Sequence, residues 1–430
     1  MRGRDTVTLD SARLKRAQTG LLLVFLLVGH GTLSSVAWVP EYIDRLGVDF
    51  AAWGTILGFS TIGAIAPLLF SSRLIMRFGS RAVLRAGIYL GMVFLILLGH
   101  SDNPLVWALI NTGFTFSMSI AGNAVNTHSV VIQGFVERPI VSKLHAGWSI
   151  GALLAAVSGA LSTVFLSLEL FLVIVAVVTL IAFEILRPSL LGADEDGHDA
   201  DKAIHVKRKP WQLPKEMWLL TAGLVAAVYP EIAIVDWAAV FARDVVGAEL
   251  SLRAAPFAAF MLGMIAGRLS MPYLAERFHP HTVASRGSLL AGIALLASVI
   301  LSGPVSGMSA LYGLMLTSVL WLIVGLGVSG VAPTYFAAAA HIPQVSTAWA
   351  LSRMQLINQL TLIGAKALMG AIAEGINLSA AFAFPAVLLL LGSIIAAKTT
   401  TRAESDDYEE MSPVTATITL PVIRDDESER

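Results

Sequence analysis

The sequence predicts an all-α integral membrane protein, in which twelve transmembrane helices form two six-helix bundles related by a pseudo-two-fold axis. Of its 430 residues, 56% are hydrophobic and 14% are charged, whereas soluble domains contain about 25% charged residues. Twelve apolar stretches follow one another, each of roughly the length that crosses a bilayer. Helices are the expected form because they satisfy their own backbone hydrogen bonds in lipid, and the alternating pattern of a membrane β-barrel is absent.

The apolar stretches fall into two groups of six. We predict spans near residues 20–39, 51–70, 82–99, 104–127, 145–166, 169–187, 216–241, 255–275, 284–302, 309–332, 346–373 and 378–397. Between the sixth and seventh lies a charged segment, which we interpret as a solvated cytoplasmic linker with an acidic run and then a basic one. The predicted parts are an N-terminal bundle (1–187), the linker (188–215), a C-terminal bundle (216–400) and a disordered, acidic cytoplasmic tail (401–430).

Basic residues gather on one side of this topology. One face collects Arg73, Arg77, Arg81, Arg138, Lys143, Arg268, Arg277, Arg286, Lys398, Arg402 and the basic run of the linker, and the other only Arg45, Arg243 and Arg253. The positive-inside rule then predicts that both termini are cytoplasmic, in a plasma membrane of the bacterial inner type. The first apolar run is long enough to be a retained span rather than a signal peptide.

The two halves repeat a local pattern. "SRLIMRFGSRAVLRAG" (72–87) follows the second predicted span, and "GRLSMPYLAERFHPHTVASRGSLLAG" (267–292) follows the eighth. Each contains a leucine, then an Arg-Phe pair, then a basic residue that leads into the next span. Internal repeats of this kind are typical of transporters whose binding site lies near the bilayer midplane, between the related bundles.

The loop after the second span resembles the signature of the major facilitator superfamily, G-x-x-x-D-R-x-G-R-[RK]. Ser72 stands at its first Gly and Met76 at its acidic position, whereas the second copy keeps an acid. In the family the charged groups of this signature form a cytoplasmic latch in the outward-open state. The resemblance therefore implies a latch in the second copy, whereas the first copy lacks the acid that its latch needs. The implied gating residues are Arg77, Gly79, Arg81, Glu276 and Arg277.

Two further stretches resemble the sugar-permease-like branch of that superfamily, which includes fucose–proton symporters. The fifth span carries its H-x-x-x-S-x-G pattern and the seventh its E-x-x-x-x-D-W pattern, with the matching residues His145, Ser149, Gly151, Glu231, Asp236 and Trp237. The first span departs from the branch, because "SVAWVPEYI" has no arginine before Pro40. A substrate contact from that arginine would be missing.

Glu231 and Asp236 are two acids within the seventh span. They lie five residues apart and therefore point about 140° apart on a helix. Pro230 is able to kink the helix there and open an ion site. Lys366 lies at the depth of Asp236, which predicts an ion pair that is either functional or purely structural. Glu231, near the midplane and without a cation at its depth, is the better candidate for the coupling proton, with a structural hydrogen bond as the alternative.

Other polar residues within the spans are candidates for the cavity. His30 is either a proton relay or a cavity wall that binds substrate or water. Amides suit sugar hydroxyls but also form hydrogen bonds between helices, and tryptophans suit either an interfacial aromatic belt or stacking on a sugar. The candidate substrate-binding residues are Asn123, Asn126, Trp38, Trp237, Asn358 and Gln359.

These features predict a secondary active transporter that works by alternating access, is coupled to protons, and moves a sugar or sugar-like polar solute. The alternative in the same class is a proton-driven exporter of amphipathic compounds. An integral-membrane enzyme is a weaker alternative, because no catalytic motif is found. We expect a monomer whose partners are a small-molecule substrate, protons and lipid, with no nucleic acid, cofactor or metal; the chain has no cysteine.

Overall fold

A computed structural model of the chain describes residues 10–136, 140–192, 195, 214–340, 342 and 347–403. Fifteen α-helices and no strands occur in these residues. They are α1 (Ser11–Leu33), α2 (Val39–Leu46), α3 (Phe50–Ser60), α4 (Ile62–Phe78), α5 (Ser80–Gly99), α6 (Pro104–Gln133), α7 (Val141–Phe165), α8 (Leu168–Leu186), α9 (Lys215–Asp244), α10 (Ala255–Ala275), α11 (Pro280–Met308), α12 (Ala310–Val328), α13 (Val331–Ala340), α14 (Thr347–Gly375) and α15 (Leu378–Ala403).

Twelve segments of the described chain are long and apolar enough to cross a membrane. Nine of them correspond to one helix each, and three are built from consecutive helices: α1 with α2, α3 with α4, and α12 with α13. The all-α, twelve-span class predicted from composition is therefore confirmed. Since the number of spans is even, Ser11 and Ala403 lie at the same end of the bundle, which we call the terminal face; the opposite end is the distal face.

Proline and glycine explain where the first span breaks. After α1 a 3₁₀ turn at Val36–Trp38 leads into α2, whose first turn contains Pro40, a position where the missing N–H costs no helix bond. Gly47 ends α2 with φ of 61°, a left-handed conformation that favours glycine. By contrast, α9 runs as one helix through Pro230. The predicted opening of the seventh span at that proline is therefore not observed.

Each half of the chain packs mainly with itself. In the first half α1 packs against α7 and α5 against α6, and in the second half α11 packs against α12 and α15. The halves meet where α3 contacts α14, α7 contacts α10, and α2 contacts α9. Because α3 begins and α14 ends at the distal face, the contact between these two helices brings the bundles together there, whereas the contact of α7 with α10 extends towards the terminal face through Arg268.

Glycines allow α3 and α14 to approach each other closely. A Cβ on Gly54 would lie 2.6 Å from the carbonyl oxygen of Lys366 and 2.8 Å from Cα of Gly370, too close for any side chain. The backbones of α3 and α14 therefore touch, in the way that small residues allow between membrane helices. An ion pair of 2.9 Å between Arg243 Nη1 and Asp44 Oδ1 also joins α9 to α2 at the distal face.

The first part of the linker is packed and not solvated. Leu190 and Leu191 are fully buried. Arg13 of α1 donates hydrogen bonds to the carbonyl oxygens of Ser189 and Leu190, at 2.6 and 2.8 Å, and its guanidinium lies 2.6 Å from the Glu195 carboxylate. The hydrogen bond from Arg13 lowers the pKa of Glu195 from its ordinary value. Within the acidic run, Glu195 is therefore half-buried in an ion pair with Arg13, and not fully solvated as expected.

The remaining predictions for the connecting segments concern residues outside the described part of the chain. These are 193–194 and 196–213 of the linker, Arg138 of the basic loop after α6, and 404–430 of the tail. A solvated remainder of the linker and a disordered tail stay predictions.

Glu195→Gln should destabilise the detergent-purified chain at pH 7.5 by about 1 kcal/mol or less, because the ion pair is partly exposed, and should therefore lower its unfolding temperature. The folded pKa of Glu195 lies below its unfolded value. Its stabilisation is therefore complete above the unfolded pKa and is lost as the pH falls through the folded one. Thermal unfolding should show the difference from the parent closing below about pH 4.

The exposed acid Glu249 supplies the control: Glu249→Gln should leave the unfolding temperature unchanged at both pH values. A difference for Glu195→Gln that is equally large at pH 3.5 and pH 7.5 would contradict the assignment.

Candidate functional site

The structure brings Asp236 and Lys366 together. The Lys366 Nζ lies 2.8 Å from Asp236 Oδ2, and the two side chains are 15% and 13% exposed. Asp236 belongs to α9 and Lys366 to α14, so the pair joins the seventh span to the eleventh. This is the pairing that their common depth predicted. Each charge has its counter-charge within the protein, as buried charges in a membrane require.

A second contact fixes α14 beside the same stretch of α9. The Tyr229 hydroxyl donates a hydrogen bond of 3.0 Å to the carbonyl oxygen of Ala365, one residue before Lys366. Tyr229 is fully buried. Because the backbone next to Lys366 is held to α9, the lysine is positioned against Asp236 and does not depend on the ion pair alone.

Glu231 also faces a cation, which the sequence analysis did not foresee. Its Oε1 lies 3.9 Å from Nη2 of Arg268. Counting Arg268 with the loop after the eighth span was wrong, because α10 continues to Ala275, about 10 Å beyond Arg268 at the helical rise. The predicted eighth span, 255–275, already contained Arg268. The sequence therefore carried a signal that this arginine lies within a span and not in a loop. Glu231 is therefore not a lone carboxylate.

Arg268 also crosses the boundary between the bundles. Its Nη1 donates to the Ser149 hydroxyl and, at 3.4 Å, to the carbonyl oxygen of His145, both on α7. These two residues belong to the H-x-x-x-S-x-G stretch of the fifth span. One guanidinium thus lies between a carboxylate of the C-terminal bundle and polar groups of the N-terminal bundle, so its position is sensitive to changes on either side.

His30 lies in a different contact. Its Nε2 is 3.1 Å from the Ser158 hydroxyl, which joins α1 to α7 inside the N-terminal bundle. Gly151, about two turns earlier on α7, brings the helices close: a Cβ there would come within 2.9 Å of the His30 backbone nitrogen. This contact lies within one bundle, so the relay and the cavity-wall alternatives for His30 both stay predictions.

The amides predicted to bind solute are dispersed. Asn123 donates a hydrogen bond of 2.8 Å to the Ser71 hydroxyl within its own bundle, whereas Asn126 is exposed and Gln359 is half-buried. Asn358 is buried, and its Oδ1 has no hydrogen-bond partner among the described residues. The structure therefore does not gather these four residues into one site.

Both predicted tryptophans are buried inside the protein. Trp38 donates a hydrogen bond of 3.1 Å from Nε1 to the Ser162 hydroxyl. Trp237 packs edge-to-face on Phe50, with ring centroids 5.7 Å apart, across the boundary between the bundles. The belt alternative, which needs rings at the lipid interface, is wrong for both residues.

A cavity of about 180 Å³ lies between the bundles towards the distal face. Asp236 and Lys366 line one wall, and the N-terminal bundle supplies aromatic and neutral polar side chains, among them Tyr42, Trp53, Trp107, Asn111 and Thr115. Sequence reasoning missed these five residues. Trp53 and Trp107 occur near span ends, where a belt position is the usual interpretation, so the pattern alone did not distinguish them.

The gating residues lie at the terminal face without a closed latch. Gly79 ends α4 with φ of 78°, which favours glycine. The Arg77 guanidinium lies over the Phe78 ring and the Arg277 guanidinium 4.2 Å from the centroid of the Tyr273 ring. Within the described chain Glu276 forms no ion pair. The implied latch of the outward-open state stays a prediction; Arg81 is half-buried.

Comparisons with known proteins agree with this architecture. The family model described as Major Facilitator Superfamily matches residues 140–349. An uncharacterised MFS-type transporter of Yersinia pestis is 27% identical over 378 residues, covering 87% of this chain and 93% of the relative. An uncharacterised transporter of Sinorhizobium fredii is 28% identical over 341 residues, covering 76% and 83%.

Solved structures show the same fold. The nucleoside transporter NupG superposes with a TM-score of 0.65 at 15% identity, covering 92% of this chain and 100% of that one. A bacterial homologue of the human lysosomal transporter Spinster, inward-facing and occupied, gives a TM-score of 0.61 at 14% identity, covering 94% and 100%.

Twelve spans in two bundles, with paired charges buried where the bundles meet, define a membrane transporter. The comparisons support the Major Facilitator Superfamily, and the chain has the fold of the solved transporters that it matches. The narrower resemblance to the fucose–proton symporter branch stays a prediction.

Neutralising either partner of the Asp236–Lys366 pair should destabilise the chain strongly, by about 3–5 kcal/mol, because the other charge is left buried and unpaired. Exchanging the two residues, as Asp236→Lys with Lys366→Asp, should recover much of that loss because a pair of opposite charges remains. Thermal unfolding of the purified variants measures both effects. A double exchange no more stable than Asp236→Asn would argue against the pair.

Proposed function

We propose that this chain is a secondary active transporter that moves a small polar solute by alternating access and is driven by protons. The observation that carries the proposal is the arrangement around α9. Two half-buried acids, Glu231 and Asp236, each face a cation, and one of these cations also binds the opposite bundle. A proton taken up by either acid therefore changes forces between helices that move relative to each other during transport.

The contacts of Arg268 suggest how a proton would be coupled to the movement. While Glu231 is charged, its attraction holds the guanidinium towards α9; once Glu231 is neutral, the hydrogen bonds to Ser149 and His145 are the main interactions of Arg268. A coulombic attraction over about 4 Å is substantial away from bulk water. Protonation of Glu231 would thus shift Arg268 towards α7 and change the population of the state in which the bundles are in contact.

For the solute, the resemblance to the fucose–proton symporter branch favours a sugar or sugar-like molecule. Asn123 already has a protein partner, so the support for a polar solute comes instead from the neutral polar and aromatic lining of the cavity. An exporter of amphipathic compounds is the alternative, and a solute panel distinguishes the two. We further propose that the chain lies as a monomer in a bacterial inner membrane with both termini cytoplasmic, in agreement with its bacterial relatives and the distribution of basic residues.

Glu231→Gln should reduce solute-driven proton movement at least tenfold, because glutamine cannot carry the proton. The protein is reconstituted into liposomes that contain a pH-sensitive dye, and a panel of neutral sugars, sugar acids and amphipathic amines is added. Solute exchange without net proton movement should persist in this variant.

Glu249→Gln, which changes an exposed acid outside α9, is the matched control and should transport protons like the parent. If Glu231→Gln retains solute uptake with an unchanged dependence on pH, Glu231 is not the coupling carboxylate. If no solute in the panel moves protons in the parent chain either, proton coupling itself is rejected.

A further inference from the structure

A groove of about 510 Å³ lies at the terminal face, between the start of α1 and the end of α8. We call it the basic groove; its lining includes Lys15, Arg16, Thr19 and Leu23 of α1, and Ile185 and Ser189 at and just after the end of α8. Of these residues only Ser189 is buried. None of them lines the cavity between the bundles, and α8 packs against α1, α5 and α7 of its own bundle. The basic groove therefore opens on the outer side of the N-terminal bundle.

The part of the groove that α1 forms changes from charged to apolar with depth. Lys15, Arg16, Thr19 and Leu23 share one face of the helix, because steps of three and four residues return to the same side. The first apolar run begins at Gly20, so the two cations precede it by roughly 6–8 Å at the helical rise. Lipid headgroups occupy about 5–8 Å on each side of the hydrocarbon core. Lys15 and Arg16 therefore lie at the level of lipid phosphates, whereas Leu23 lies at the level of acyl chains.

The two cations have no counter-charge in the described part of the chain. Neither Lys15 nor Arg16 forms an ion pair or a side-chain hydrogen bond there. Both are exposed, as is Asp10, the acid nearest to them along the described sequence, which also forms no ion pair. The basic groove therefore presents two positive charges that the described residues do not neutralise.

The acids on neighbouring elements are already matched by other cations. Glu195 lies 2.6 Å from Arg13. Glu184 lies 2.8 Å from Arg85 and 2.8 Å from Arg187. No acid is among the described residues that line the groove. An anion that entered the groove would therefore be attracted by its two cations and would meet no unmatched carboxylate on its walls.

A phospholipid with a net negative charge matches both parts of the groove. Arginine binds phosphate oxygens through two parallel N–H groups and lysine binds them as a point charge, and basic pockets at a membrane surface bind anionic headgroups. Leu23 and Ile185, which are 41% and 73% exposed, form an apolar wall that suits an acyl chain. A soluble anion would leave this wall uncovered, and a zwitterionic lipid would bring a cation of its own towards the two basic side chains.

We infer that the basic groove binds an anionic phospholipid, with the phosphate between Lys15 and Arg16 and one acyl chain along Leu23 and Ile185. The lipid lies against both the first and the sixth span, next to Ser189, where the chain leaves the N-terminal bundle for the linker. This surface is outside the cavity between the bundles, so the inference does not depend on the proposed solute or on proton coupling.

Fluorescence quenching by labelled lipids tests the inference on the full chain in nanodiscs. The chain has no cysteine, so Ile181→Cys introduces a single site for a bimane label, one turn before Ile185 on α8. Ile300→Cys on α11 is the reference position, because Ile181 and Ile300 are exposed to similar extents, 57% and 59%. Phosphatidylglycerol or phosphatidylcholine that carries a nitroxide on its acyl chain is added in equal amounts. We expect a preference for phosphatidylglycerol of at least fivefold at Ile181→Cys, which is about the contribution of one surface charge, and no preference at Ile300→Cys.

Two variants of the labelled Ile181→Cys chain locate the lipid. Lys15→Gln with Arg16→Gln should reduce the preference below about twofold, because both charges are removed. Thr19→Trp fills the groove but keeps both charges, and it should reduce the preference to the same level. Tryptophan is common at this level of the membrane, and thermal unfolding of each variant checks that it is folded.

The matched control is Arg73→Gln with Lys215→Gln, which removes two exposed cations of the terminal face outside the groove and should keep the preference of the parent. The inference is overturned if both labelled positions show the same preference, if either groove variant keeps that of its parent, or if the control loses it. Loss of the preference on adding glycerol 3-phosphate at the concentration of the lipid would assign the groove to a soluble anion instead. A preference that arises only after residues 2–9 are deleted would assign it to the N-terminus of the chain itself.

Discussion

A charge held in hydrocarbon needs a counter-charge, and the centre of this protein is organised around that requirement. Asp236 is paired with Lys366, and Glu231 lies 3.9 Å from Arg268. Both acids stand on α9, and their partners stand on α14 and α10, so the pairs hold three helices of one bundle together. Arg268 extends the arrangement to α7 of the other bundle through Ser149. Stability and the proposed response to a proton therefore depend on the same few side chains.

The position of the cavity follows from backbone packing. Since Gly54 and Gly370 carry no side chains, α3 and α14 touch near the distal face, next to the backbone of Lys366. The same contact brings aromatic residues of the N-terminal bundle opposite the Asp236–Lys366 pair. A cavity that combines aromatic side chains with a pair of opposite charges exists only because the bundles approach so closely there. Opening this contact would separate the two walls, which is what alternating access requires.

The distribution of polar contacts separates buried groups that have a hydrogen-bond partner from buried groups that have none in the described chain. Trp38 and Asn123 each donate to a serine in their own bundle, and such hydrogen bonds commonly hold membrane helices together. Tyr42, Trp53 and Trp107 are buried without an acceptor in the described chain. Residue type was the same in both groups, since tryptophan occurs in each. The difference lies in whether a neighbouring helix presents a hydroxyl at the right place.

The sequence by itself determined the fold class, because long apolar runs admit only helices in a bilayer, and it placed Asp236 beside Lys366 because helical rise converts position into depth. It could not determine lateral contacts. The partner of Glu231 depends on the direction in which Arg268 points from α10, and the grouping of Tyr42, Trp53 and Trp107 depends on how three helices pack. The depth of a residue in the membrane follows from its position in its own helix. A contact depends on how two helices are oriented, and only the tertiary structure decides that.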